Sequence, residues 1–380
     1  MLTDADVVEL TAFRHALHRR PEVSGAERDT AAAVVDFLAP TTPDRVLTGL
    51  GGHGVALVYN GAAAGPTVMI RSELDALPIF ELSRLDYRSE TPGTAHLCGH
   101  DGHSAILAGV ARVLSRRRPA RGRAVLLFQP AEEDGSGAAA VLADAAFAAI
   151  APDYAFALHN LPGLPLGRVV LMPGPANCAS RGLKIVLTGK TSHAAQPEAG
   201  ITPALAVARL IPGLMALGPG GVLGDDFRLI TVTHARMGEP AFGITPGHAE
   251  VWATLRTVHD ADMAALVAAA KTLAEAEARG GLTVATTCHD IFAACTNDPD
   301  ATALMIAALD AEAIPLIPGT MPLRASEDFG RFGAQAKAAM FFLGAGEDAP
   351  ALHNPDYDFP DALIPCGTRA FVRVLRDLLG

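Results

Sequence analysis

The chain has 380 residues, 50% of them hydrophobic and 19% charged, a balance that supports a buried core and excludes general disorder. With 30 Lys and Arg against 41 Asp and Glu, the net charge is −11, so the long-range field repels nucleic-acid phosphates and anionic membrane surfaces. At about 100–200 residues per domain the length predicts two domains, and no apolar run approaches the roughly 20 residues that span a bilayer. Five scattered cysteines (Cys98, Cys178, Cys288, Cys295, Cys366), without a CxxC, predict free thiols in a reducing compartment. Asp4 and Asp6 stand where a signal peptide would be basic, so the expected location is cytoplasmic.

An amphipathic pattern through Val7, Val8, Leu10, Phe13 and Leu17 predicts a first helix that stops at Pro21, and Ser24 with Glu27 reads as a capping box opening a second. Apolar runs at Val55–Tyr59, Val68–Arg71, Ala124–Gln129 and Tyr154–His159 then alternate with helical stretches near Gly102–Ser115 and Gly137–Ala149. This alternation predicts an α/β sheet covered by helices. The stretch Arg116–Arg123 reads as a solvated basic turn.

From Gly182 the rhythm becomes strand 183–188, helix 203–217, strands 229–235 and 249–256, helix 261–279 and strand 282–287. That β-α-β-β-α-β order is a split βαβ unit. A helix near Ala301–Ala313, an apolar strand at Ala339–Leu343 and a last helix to Leu379 resume the earlier pattern. The expected division is therefore 1–181 and 291–380 for the larger domain, with 182–290 inserted.

His96-Leu97-Cys98-Gly99-His100-Asp101-Gly102-His103 holds three of the 13 histidines in eight positions. Thiolate, imidazole and carboxylate together suit a borderline cation such as zinc, and the glycines allow the backbone to turn the side chains toward one centre. Gln129-Pro130-Ala131-Glu132-Glu133 follows an apolar strand, at the end where α/β sheets place their sites. Adjacent acids diverge, so one can hold a metal while its neighbour acts as general base. His159 and His353 also stand beside apolar segments, and Glu73 or Asp75 could orient a ligating histidine. Gly189-Lys190-Thr191-Ser192 lacks the earlier glycine of a phosphate loop, and there is no HExxH, GxSxG or GxGxxG after a strand.

Together these segments resemble the M20 family of metallopeptidases, in its amidohydrolase branch of hippurate and auxin-conjugate hydrolases. The resemblance covers nearly the whole chain. Its motifs are His18-Arg19-Arg20-Pro21-Glu22, Glu73-Leu74-Asp75-Ala76-Leu77-Pro78, Cys98-Gly99-His100-Asp101-Gly102-His103, Gln129-Pro130-Ala131-Glu132-Glu133 and Leu158-His159-Asn160. It continues through Gly189-Lys190-Thr191-Ser192-His193-Ala194-Ala195, Ser326-Glu327-Asp328-Phe329 and Leu352-His353-Asn354-Pro355.

The resemblance implies a zinc-exopeptidase-like catalytic domain interrupted by an inserted α+β, ferredoxin-like lid domain that mediates a homodimer. It implies two divalent ions, Zn²⁺ or Mn²⁺, held by Cys98, His100, Glu133, His159 and His353, with Cys98 bridging. Glu132 would be the general base, with Asp75 also in the catalytic set. His193 would help stabilise the oxyanion in the partner subunit, and Arg256 would bind a substrate carboxylate. The implied reaction is hydrolysis of an N-acyl amino acid, with a dipeptidase or aminoacylase as the alternative within the family. A non-catalytic metal- or ligand-binding protein on the same scaffold is the alternative outside enzymes. Departures fall mainly in the lid: Gly243-Ile244-Thr245-Pro246 where the family often has Asn-Val-Ile-Pro, Glu198 for a histidine and Thr202 for an acid. Glu73 replaces the more usual Asp.

Overall fold

Thr3 and Asp6 cap each other's backbone and open the first helix, Asp4–Arg19, whose Leu10, Phe13 and Leu17 face the core. The computed structural model describes residues 1–380. It divides into a larger unit, Met1–Ala176 with Thr296–Met321 and Asp328–Gly380, and a smaller one, Asn177–Cys295 with Pro322–Glu327.

The second helix is Arg28–Leu38, three residues later than the capping box at Ser24 predicts, and it has no side-chain cap. Tertiary partners take both groups that the local motif needs. The Ser24 hydroxyl donates to Asp75 at 2.8 Å, and the Glu27 carboxylate accepts the N–H groups of Gly25 and Ala131.

The larger unit is built on a seven-stranded sheet. Its order is Arg45–Leu50, Gly54–Asn60, Arg121–Gln129, Ala63–Glu73, Tyr154–Leu161, Lys337–Gly344 and Val169–Val170. The middle four strands are mutually parallel, and the flanking pairs are antiparallel. Ala124 to Phe128 are buried without a break, as expected of a strand covered on both faces. Helices Asp4–Arg19, His100–Arg116, Pro299–Ala311 and Leu363–Leu379 contribute Leu10, Ile106, Met305 and Phe371 to that core. Because Glu73, Gln129 and His159–Asn160 all lie at the carboxyl ends of parallel strands, their side chains converge at one rim of the sheet. The basic stretch is tied to the chain itself: Arg116 pairs with Asp6, Arg118 with Asp44, and Arg123 donates to Thr67 and the Ala149 carbonyl.

The smaller unit has four antiparallel strands in the order Arg228–Met237, His248–Thr257, Ala179–Thr188 and Thr283–Phe292. With helices Ala204–Leu217 and Asp260–Glu275 this is the split βαβ topology. Leu183, Ile185 and Leu187 alternate with Lys184 and Val186, so one sheet face packs on the helices through Leu210, Leu214 and Leu266. The other face carries Lys184 over the ring of Trp252. No helix of the protein is long and apolar enough to cross a membrane.

Candidate metal centre

Cys98 and His100 flank Gly99, whose φ of +94° opens the helix His100–Arg116. A left-handed residue at that point costs an L side chain strain but costs glycine nothing, and it lets two neighbouring donors face one centre. His159 reaches the same place from the end of the strand Tyr154–Leu161, and Cys98 Sγ lies 3.4 Å from its Nε2. Glu132 and Glu133 follow the strand Arg121–Gln129, and His353 comes from a loop where its own φ is +67°.

These donors form overlapping groups whose ligand atoms lie within 4.8 Å of one another: Cys98 with His100 and His159, and Cys98 with Glu133 and His353. His100 also groups with Glu132 and Glu133. His353 Nε2 is 3.7 Å from Glu133, and His100 Nε2 is 3.9 Å from Glu133 and 4.0 Å from Glu132. Two ligands about 2.0–2.3 Å from a tetrahedral ion would stand roughly 3.3–3.8 Å apart, and the Cys98–His159 and Glu133–His353 separations fall in that range.

Backbone carbonyls fix which ring nitrogens face inward. A carbonyl only accepts, so His159 Nδ1 donates to Asn160 O at 2.8 Å and His100 Nδ1 donates to Asp75 O at 2.9 Å. In the neutral form of each ring Nε2 is then the unprotonated nitrogen, the form a metal takes. His100 Nε2 is buried without a hydrogen-bond partner, a cost that a bound cation would remove.

The surrounding field has the same sign. Burial alone would lower the pKa of His100, but the hydrogen bond to Asp75 and the charges of Glu133 and Asp75 push it up to about 9. Burial would raise the Asp75 carboxyl, yet His100 and the N–H of Glu133, with the Ser24 hydroxyl, hold it below the usual range. An environment that favours positive charge on an imidazole also favours a divalent cation. Asp75 thus touches both His100 and the backbone of Glu133.

A profile of peptidase family M20/M25/M40 matches residues 69–377. This chain belongs to that family. It is 32% identical over 249 residues to an N-acetylcysteine deacetylase of Bacillus subtilis, an alignment covering 65% of this chain and 65% of that protein. The chain therefore spans just under two thirds of that relative's length. It is 27% identical over 373 residues to an N-acetyldiaminopimelate deacetylase of Listeria monocytogenes, covering 97% of this chain and 98% of that one. A solved Bacillus subtilis structure, titled as a dinuclear metal-binding peptidase of the M20 family, superimposes with a TM-score of 0.82 at 25% identity, with 99% of each chain covered. The α/β fold with an inserted smaller unit is the M20 fold.

His193 and Arg256 belong to the smaller unit. His193 is exposed, on a two-residue strand paired with Ile244–Thr245, and its Nδ1 accepts the Ala195 N–H. Arg256, half-buried, donates to the Arg324 carbonyl at 2.9 Å and the Ser326 hydroxyl at 3.2 Å, and pairs with no carboxylate. Burial pushes its pKa below the ordinary value.

Sequence reasoning missed four buried residues beside the centre: Arg71, His103, Asn160 and Asp328. Asp328 accepts from Arg71, from the Gln129 side chain and from the Ala138 N–H, while Arg71 also pairs with Glu73. Glu73, His100 and His103 group as possible ligands as well, but Glu73 already holds Arg71 and His103, and all three residues are buried. His103 belongs to the histidine cluster that the sequence exposes, and that spacing was the one available signal for it.

Proposed function

We propose that this chain is a dimetal amidohydrolase that cleaves the amide bond of N-acyl amino acids, releasing a carboxylic acid and an amino acid. The observation that carries the reading is the pair of donor groups sharing Cys98, with Glu132 beside them. One ion would be held by Cys98, His100 and His159, and the other by Cys98, Glu133 and His353. When bound, the two ions would acidify a water and polarise the amide carbonyl.

The protein's own groups do the rest. Glu132, 5% exposed and bound through its carboxylate to the Asp328 N–H, would accept the water's proton and pass it to the leaving amine. Asp75 orients His100 and is a positioning residue on this reading. Arg256, a half-buried cation whose partners are neutral oxygens, would take the substrate's α-carboxylate. The larger unit would be catalytic and the smaller one a lid and dimerisation domain, with His193 delivered across a homodimer to steady the oxyanion. The soft thiolate of Cys98 favours zinc over manganese, and the free cysteines fit a cytoplasmic enzyme.

Metal analysis of the purified protein together with an assay against N-acyl amino acids tests this. The expected result is about two ions per chain and chelator-sensitive release of an amino acid. Glu132→Gln should lower kcat by about 10²–10⁴-fold while keeping both ions. Unchanged turnover in that variant, or a protein that takes up no metal, would overturn the reading.

A further inference from the structure

Behind the ligands runs a buried polar chain that the hydrolytic reading does not use. Glu73 ends the strand Ala63–Glu73, and its Oε2 accepts from His103 Nδ1 at 2.6 Å while Arg71 holds its other oxygen. His103 Nε2 lies 2.5 Å from the Asn160 side-chain oxygen. The Asn160 amide nitrogen donates to the Tyr357 hydroxyl at 2.5 Å. Glu73, Asn160 and Tyr357 are fully buried, and His103 is 2% exposed. A buried network of this kind is rigid when its members are satisfied.

Asn160 touches one donor group at two places. Its main-chain carbonyl fixes the ring of His159, and its side chain sits against Gly99, where a Cβ would overlap the amide oxygen. Gly99 is the hinge between Cys98 and His100. One asparagine therefore braces all three of Cys98, His100 and His159. Glu133 and His353 are held by other means: the Glu133 N–H donates to Asp75 and the His353 N–H to the Leu97 carbonyl.

We propose that Glu73, His103 and Asn160 are positioning residues for one ion of the pair, the one held by Cys98, His100 and His159, and that they tune its affinity apart from its neighbour's. Glu73 fixes the ring of His103, His103 fixes the amide of Asn160, and Asn160 fixes the two segments that carry the ligands. The proposal rests on the dimetal reading. Partners behind metal ligands are commonly worth 10–100-fold in affinity, and here that effect falls mainly on one ion because two of the three braced ligands, His100 and His159, belong to its donor group alone while only Cys98 is shared.

The test is stepwise Co²⁺ binding to the metal-free full chain against a competing chelator, with the visible spectrum recorded after each equivalent. In Asn160→Ala the affinity for one ion should fall about 10–100-fold while the other stays within about threefold, and the spectrum of the weakened ion should change. His103→Gln should weaken the same ion. It also supplies the result if the gap left beside Gly99 prevents Asn160→Ala from folding. Glu73→Gln, which offers a single acceptor oxygen to the two donors His103 Nδ1 and Arg71, should weaken the same ion. Equal loss at both ions, or no loss in folded variants, would overturn the proposal. A wild-type chain that binds fewer than two Co²⁺ would instead overturn the dimetal reading beneath it, before any variant is compared.

Discussion

Single hydrogen bonds decide what several side chains here can do. The carbonyls of Asp75 and Asn160 assign the tautomers of His100 and His159, and without them each ring could present either nitrogen. Arg256 is defined by the neutral character of its partners. A charge-assisted hydrogen bond contributes about 1.5–3 kcal/mol. Arg256→Ala should therefore lower kcat/KM by roughly 10–100-fold for an N-acyl amino acid with a free carboxylate, with little effect on the same compound as its amide. Steady-state kinetics on the two substrates checks this, and equal losses on both would remove Arg256 from substrate binding. The ligand types and their clustering were legible in the sequence because they are local, within Cys98–His103 and Glu132–Glu133. The partnership of His103 with Asn160 was not, since it joins residues 57 positions apart.

At the scale of elements, the helix His100–Arg116 sits close enough to the C-terminal segment that a Cβ on Gly102 would overlap the Phe359 ring. That ring also stands edge-on to His103. Gly102→Ala gains up to about 1 kcal/mol of helix propensity, but overpacking typically costs about 1–3 kcal/mol. A net loss of stability on urea denaturation is expected. The first helix presents Arg14 to Asp101, Asp358 and Asp361, and His18 to Asp101 and Glu81. Burial would lower the His18 pKa, but the hydrogen bonds it donates to Asp101 and Glu81 outweigh it and push it up to about 9. The folded protein thus holds a proton that the unfolded chain releases near 6.5. The resulting stabilisation is complete below that pH and is lost as the pH rises toward 9. Urea midpoints between pH 6 and 9.5 should fall, and in His18→Gln the fall should flatten. The capping box expected at Ser24 failed because Ser24 and Glu27 are drawn to Asp75 and Ala131, which no local pattern records. The strand Arg45–Leu50 escaped notice because only Leu47 and Leu50 of its six residues are buried.

For the molecule as a whole, the change of rhythm near Gly182 was readable because strands of the smaller unit alternate between a packed and an open face, as Leu183 to Leu187 do, whereas in the larger unit the strand Arg121–Gln129 carries an unbroken apolar run from Ala124 to Phe128. What periodicity could not supply was strand order. The sheet of the larger unit sets Lys337–Gly344 against Tyr154–Leu161, the strand that carries His159 and Asn160. During synthesis, the ribosome must make the entire smaller unit before that neighbour exists. At about 5–20 residues per second, the emerging edge of Tyr154–Leu161 stays open for on the order of ten to thirty seconds. The nascent chain can fold its inserted unit in that interval, while the future metal rim waits as an apolar strand edge of the kind that chaperones cover.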